Sequence, residues 1–217
     1  MSATLIKPWA TAIGQFSYDD AGALNPALAE HVLRSCRERG LIGQGERFPL
    51  STHAHAELEQ ELRAALPPAF FEFVCGSVSR YLSCIRPGNY QPMPEDIGWI
   101  WPNLSFAGEF HEPHTHSGVR YAVAGVYYVQ VPQFGRAKEG ALSFIDPRGG
   151  ALGSDEYSCF YGLGKELRMQ PVAGNLVLFP PHLKHYVYPH SAASPRISLA
   201  FDVAARVLHS VALEGAA

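Results

Sequence analysis

The chain has 217 residues, of which 47% are hydrophobic and 17% charged, enough to bury one sizeable core, and a single domain spanning 1–217 is the expectation. A net charge of −3 and the lack of any Lys/Arg block argue against nucleic acid or an anionic membrane surface as the main partner. No apolar run approaches membrane-spanning length. Met1–Pro8 shows no basic stretch followed by an apolar run and a cleavage site, so a cytoplasmic location is expected. The partner that remains is a small-molecule or peptide substrate, with a homodimer left open.

Leu5, Ile6, Trp9, Ile13 and Phe16 predict an edge strand or two. A helix follows, with Asn25 as N-cap candidate, Pro26 at the first helical position, Leu28, Val32 and Cys36 at helical spacing, and Gly40 closing it. Ser51 or Thr52 then caps a second helix marked by Leu58, Leu62 and Leu66, which Pro67 and Pro68 break. Phe70, Phe71, Val74, Val78, Tyr81, Leu82 and Ile85 predict a third, ended by Pro87-Gly88. Residues 1–88 thus form a helical N-terminal part. Cys36, Cys75, Cys84 and Cys159 lack CxxC spacing, sit among apolar residues and read as core thiols.

After Gly88 the pattern turns extended. Strands are expected near Ile97–Phe106, Arg120–Val131, Ala141–Ile145, Tyr157–Tyr161, Glu166–Gln170, Asn175–Phe179, His185–Tyr188 and Arg196–Val203. About eight short strands after helices suggest a mainly β fold, a double-stranded β-helix (jelly roll, cupin-like barrel) over 89–217 with the helices packed on one sheet. The glycine-bearing stretch Asp146–Leu163 reads either as a lid over the barrel mouth or as an ordinary surface connection.

Between the first two of these strands lies Gly108-Glu109-Phe110-His111-Glu112-Pro113-His114-Thr115-His116. In an extended chain residues two apart share a side, so His114 and His116 would present two imidazoles to one point, half of a site for iron, zinc, copper or nickel. Alone, such a pair is more often a surface feature. Downstream, His185 begins a strand, Pro189–Pro195 form a turn, and Arg196, Ser198 and Ala200 share one face of the returning strand. A guanidinium brought beside His185 can clamp a carboxylate, with the Ser198 hydroxyl adding a hydrogen bond. By itself Arg196 would equally suit a surface strand start.

On these residues the chain resembles the 2-oxoglutarate/Fe(II)-dependent oxygenases, and most nearly a bacterial and phage group whose metal motif is HxH instead of HxD. The matching segments are Trp101-Pro102-Asn103, His114-x-His116, Ala124–Val129, Gly140–Arg148 and Gly174–Phe201, roughly the C-terminal half. The resemblance implies Fe(II) held by His114, His116 and His185, with Arg196 and Ser198 gripping the distal carboxylate of 2-oxoglutarate as co-substrate. Asn103 and Tyr127 or Tyr128 are weaker co-substrate candidates. It implies a dioxygenase that hydroxylates a substrate the sequence does not identify.

Three histidines without the usual carboxylate leave more positive charge on the metal, which favours a dianionic keto acid and also suits zinc or nickel. Glu112 is a runner-up carboxylate ligand, although Pro113 should interrupt the strand there. His111 reads as a mouth or outer residue, and His182 and His190 as turn residues near the rim. Trp99 and Trp101 share parity with Asn103 and would face the barrel interior with it unless a bulge at Pro102 intervenes. Asp146 and Arg148 either contact substrate or form a turn. A three-histidine cupin that needs no 2-oxoglutarate is the alternative within the same architecture, although the glutamate a cupin places shortly after HxH is missing here. A non-catalytic jelly-roll binding module is the alternative from another class.

Overall fold

The structure, a computed structural model, describes residues 11–42, 50–51, 56–116, 120–148 and 166–208. Leu5, Ile6 and Trp9, the strand expected at Tyr157–Tyr161 with Cys159, and residues 149–163 of the suggested lid lie outside the described residues.

Ten strands and three α-helices are described: β1 (Gly14–Ser17), α1 (Ala21–Glu38), β2 (Leu50–Ser51), α2 (Ala56–Ala65), α3 (Pro68–Ile85), β3 (Ile97–Ser105), β4 (His111–His114), β5 (Tyr121–Gln130), β6 (Leu142–Ile145), β7 (Glu166–Met169), β8 (Asn175–Phe179), β9 (His185–Val187) and β10 (Arg196–Ala204). A six-stranded sheet runs β1-β8-β5-β10-β3-β2 and a four-stranded sheet β4-β9-β6-β7. Neighbouring strands pair antiparallel in both. Facing each other, the sheets form the expected jelly roll.

The central strands are apolar on both faces because both are covered. Val123, Tyr127 and Val129 of β5 and Ile197, Leu199, Phe201 and Val203 of β10 pack beneath the helices, against Leu28, Val32, Leu62, Phe70 and Val78. The alternate residues Ala124, Val126 and Tyr128 point between the sheets, where they meet Leu142, Phe144, Phe179 and Val187. This alternation sends Arg196, Ser198, Ala200 and Asp202 of β10 into the barrel. The helices thus sit on one sheet and leave the barrel interior to chemistry.

Local differences from the expected elements have local causes. α1 begins at Ala21 and carries Pro26 inside it. Asn25 is not its cap but a buried bracket, accepting from Tyr127 Oη at 2.7 Å and donating to the Tyr128 carbonyl at 3.5 Å. The extended segment at the HxH motif forms a strand of its own, β4, and it runs through Pro113 instead of stopping there. β3 carries its bulge at Trp99, not at Pro102: Phe201 and Asp202 of β10 stand opposite Ile100 and Gly98, leaving Trp99 over, with φ of 27°. Trp99 is therefore 44% exposed while Trp101 and Asn103 face the barrel. Of the described cysteines Cys36 is buried and Cys75 half-buried, but Cys84 is exposed because it falls off the apolar stripe of α3; all three are free thiols. Ile85, the last residue of that stripe, is also exposed.

Candidate metal centre

β4 and β9 are paired so that His114 stands directly across from His185, with ring centroids 4.3 Å apart. His116 lies just past β4, its backbone N–H held by the Pro181 carbonyl at 2.9 Å, and its ring is 5.7 Å from that of His114 and 5.1 Å from that of His185. One ring nitrogen from each of the three lies within 4.8 Å of the others, so one ion can reach all three.

The hydrogen bonds settle which nitrogen is offered. His114 Nδ1 is 2.7 Å from the Glu112 carbonyl, His185 Nδ1 is 2.9 Å from the Leu183 carbonyl, and His116 Nδ1 is 2.7 Å from Asp202 Oδ1. A carbonyl or carboxylate oxygen only accepts, so each Nδ1 carries the hydrogen and each Nε2 keeps its lone pair for a metal. Burial, with the neighbouring imidazoles, pushes His185 down to about 3, so the ring is neutral near neutral pH and gives up no proton on binding an ion. The runner-up Glu112 contributes only its backbone carbonyl; its side chain is exposed.

Asp202 is the acid that sequence reasoning missed. It shares the inward face of β10 with Arg196, Ser198 and Ala200, and extending that parity by two residues would have found it. A buried carboxylate on Nδ1 orients a metal-ligating imidazole, so with an ion bound Asp202 would place beside it, through His116, the negative charge that a three-histidine set lacks. Asp202→Asn is expected to weaken metal binding by roughly 10–100-fold, read by titrating a divalent ion into the metal-free variant. An unchanged affinity would reduce Asp202 to packing.

A cavity of about 450 Å³ runs from this cluster to Arg196. Arg196 is 2% exposed and, among the described residues, has no carboxylate partner. Its guanidinium lies 5.1 Å from the Tyr128 ring centroid and donates weakly to Ser198 Oγ at 3.4 Å. Ser198 faces Asn103 across β3 and Tyr128 across β5, so three of the expected co-substrate residues meet here. Arg196 Nε and Asn103 Oδ1 are buried without a protein partner, a costly arrangement unless a ligand completes it. Tyr127 is not among them: its side chain points to the helices, in edge contact with Phe70 at 5.0 Å and bonded to Asn25, and Tyr128 is the neighbour on the barrel side.

The remaining candidates are dispersed. Asp146 and Arg148 pair with each other in the turn after β6, Arg148 Nη2 to Asp146 Oδ2 at 2.6 Å. His182 is exposed in a turn. His190 is buried, its Nε2 2.9 Å from the Ser105 carbonyl, and so anchors the end of β3 instead of lying at the rim. His111, by contrast, stays outside the metal group and lines the cavity, pushed down to about 3 chiefly by burial and next by the charge of Arg196.

The neutral imidazoles of His185, which is buried, and His111, which is half-buried, bear on folding. His111 and His185 fall from an ordinary 6.5 to about 3 in the folded chain, so between those values the unfolded chain binds protons that the folded one refuses. Stability must then fall as pH drops from about 6.5 toward 3. The urea midpoint of metal-free protein should follow that slope, and His185→Gln should flatten it. A midpoint flat across the window would contradict the burial of both rings.

Residues 99–202 match the family described as "Putative 2OG-Fe(II) oxygenase". No curated protein sequence matches the chain. Among solved structures, the chain is similar to a Pseudomonas putida prolyl-4-hydroxylase, at TM-score 0.51 and 19% identity over 89% of this chain and 92% of that one. AviO1 from Streptomyces viridochromogenes Tue57 is similar at TM-score 0.55 and 13% identity, over 89% and 90%. A prolyl hydroxylase from Trichoplax adhaerens, solved with a hypoxia inducible factor peptide fragment, is similar at TM-score 0.52 and 14% identity, over 92% and 87%. At these identities the structures establish a common fold.

Proposed function

We propose, for a chain whose residues 99–202 match the family described as "Putative 2OG-Fe(II) oxygenase", that it is an Fe(II)- and 2-oxoglutarate-dependent dioxygenase hydroxylating a small molecule or peptide. The observation that carries this reading is Arg196: a buried guanidinium without a carboxylate partner among the described residues, lining the same cavity as three convergent imidazoles. A cavity with a cation at one end and a metal group at the other suits a dianion with a chelating keto acid at one end and a second carboxylate at the other.

The donor set fits both groups. His114, His116 and His185 would hold the iron through Nε2, and Arg196 with Ser198 and Asn103 would hold the far carboxylate. Iron with 2-oxoglutarate and oxygen supplies the oxidising chemistry that hydroxylates a C–H bond. The protein orients and shields. Trp101 stacks on His116 at 6.1 Å and 30°, and Phe179 meets His185 at 4.7 Å, so the imidazoles sit against apolar walls that limit water. Asp202 keeps the His116 hydrogen on Nδ1.

The whole chain would act as one unit, since α1, α2 and α3 share their core with the sheet that bears Arg196. Free thiols at Cys36, Cys75 and Cys84 support a reducing, cytoplasmic setting; among the described residues no helix is long and apolar enough to cross a membrane. The test is uncoupled turnover. Iron-loaded protein with oxygen should convert 2-oxoglutarate slowly to succinate, faster when a metabolite or peptide pool holds the substrate. Oxidation of a compound without 2-oxoglutarate would favour a three-histidine cupin, and neither activity a binding module.

A further inference from the structure

β4 and β9 fall out of step between His111 and His114. Val187 and His185, two apart on β9, stand opposite His111 and His114, three apart on β4. One extra residue is therefore accommodated at Glu112-Pro113, and a bulge of this kind re-aims the side chains on either side of it. Three residues apart in a regular strand would face opposite ways; here His111 and His114 both line the cavity while Glu112 and Pro113 are exposed. His111 does not join the metal group, which comprises His114, His116 and His185. Its Nε2 is buried with no partner, and the Arg196 charge acts on it from the opposing sheet.

We infer that His111 is a binding and specificity-determining residue for the keto acid, donating Nε2–H to the far carboxylate from the four-stranded sheet while Arg196 and Ser198 hold it from the six-stranded sheet. The inference rests on the proposed use of 2-oxoglutarate and deepens it. An unpartnered imidazole nitrogen in one cavity with a guanidinium that has no carboxylate partner among the described residues is costly in the ligand-free protein, and a carboxylate relieves both at once: its two oxygens have about four acceptor positions, room for two Arg196 N–H groups, the Ser198 hydroxyl and one imidazole N–H. A neutral donor on the second wall adds no second positive charge next to Arg196. It also closes the subsite from above, so that a keto acid without a far carboxylate leaves both walls unsatisfied and is rejected.

The test compares 2-oxoglutarate with 2-oxobutyrate, which has the same keto acid head and no far carboxylate, by calorimetry on protein loaded with redox-inert Ni(II). Wild type should prefer 2-oxoglutarate, and His111→Leu should lose roughly tenfold or more of that preference while its nickel content and 2-oxobutyrate affinity stay unchanged. His111→Gln, which restores an N–H donor, should recover most of it. If wild type shows no preference, the 2-oxoglutarate reading itself fails. If wild type prefers 2-oxoglutarate and His111→Leu keeps the full preference, or loses nickel and both acids alike, the assignment of His111 to the carboxylate is overturned and the rest of the site stands.

Discussion

Replacing His185 by Gln should cost more metal affinity than the roughly 10–100-fold that follows from disturbing an outer partner of a ligand, and with it all conversion of 2-oxoglutarate to succinate. Of the three histidines, His185 is the most buried, 4% exposed; it begins β9 and stands directly across from His114. Its Nδ1 is fixed on the Leu183 carbonyl, so no rotation brings another atom to the ion. Gln keeps much of the volume between Phe179 and Phe144 and separates loss of a ligand from loss of packing, which Ala would combine. The measurement is bound iron per chain after anaerobic loading and desalting, beside a thermal melt. A variant that retains its iron would remove His185 from the metal set.

Arg196→Met should move two properties in opposite directions. Binding of 2-oxoglutarate should weaken by about 1.5–3 kcal/mol, the range for a hydrogen bond to a charged group, and Arg196→Lys should recover only part of it because an ammonium lacks the planar fork. The ligand-free protein should melt higher, because Arg196 is fully buried without a carboxylate partner among the described residues and an apolar chain of similar length relieves that desolvation. Strain of this sort at a binding site is the usual exchange of stability for function. Tighter binding, or a lower melt with unchanged binding, would show that Arg196 serves the fold instead.

That His114, His116, His185, Arg196 and Ser198 line one cavity was legible in part because strand geometry has a period of two; the roles proposed for them came from the family resemblance. His185 at a strand start and Arg196, Ser198 and Ala200 on one face follow from that period, and the third helix follows from an apolar stripe at helical spacing with prolines before and after it. Asp202 obeys the same rule, two residues beyond Ala200 on the inward face of β10. The helices' placement was legible too, since a helical segment ahead of about eight short strands suits a jelly roll with helices packed on one sheet.

What the sequence alone determined, then, is the order of elements and the identity of the groups that share a strand face. Tertiary structure decided what depends on cross-strand register: the bulge at Trp99 that turns its indole outward, the bulge at Glu112-Pro113 that turns His111 inward, the choice of Tyr128 over Tyr127, and the contact between Asp202 and His116, 86 residues apart. The reason is physical. A bulge is one residue more on one strand than on its partner, so it is a property of a pair of strands and has no signature in either one read singly.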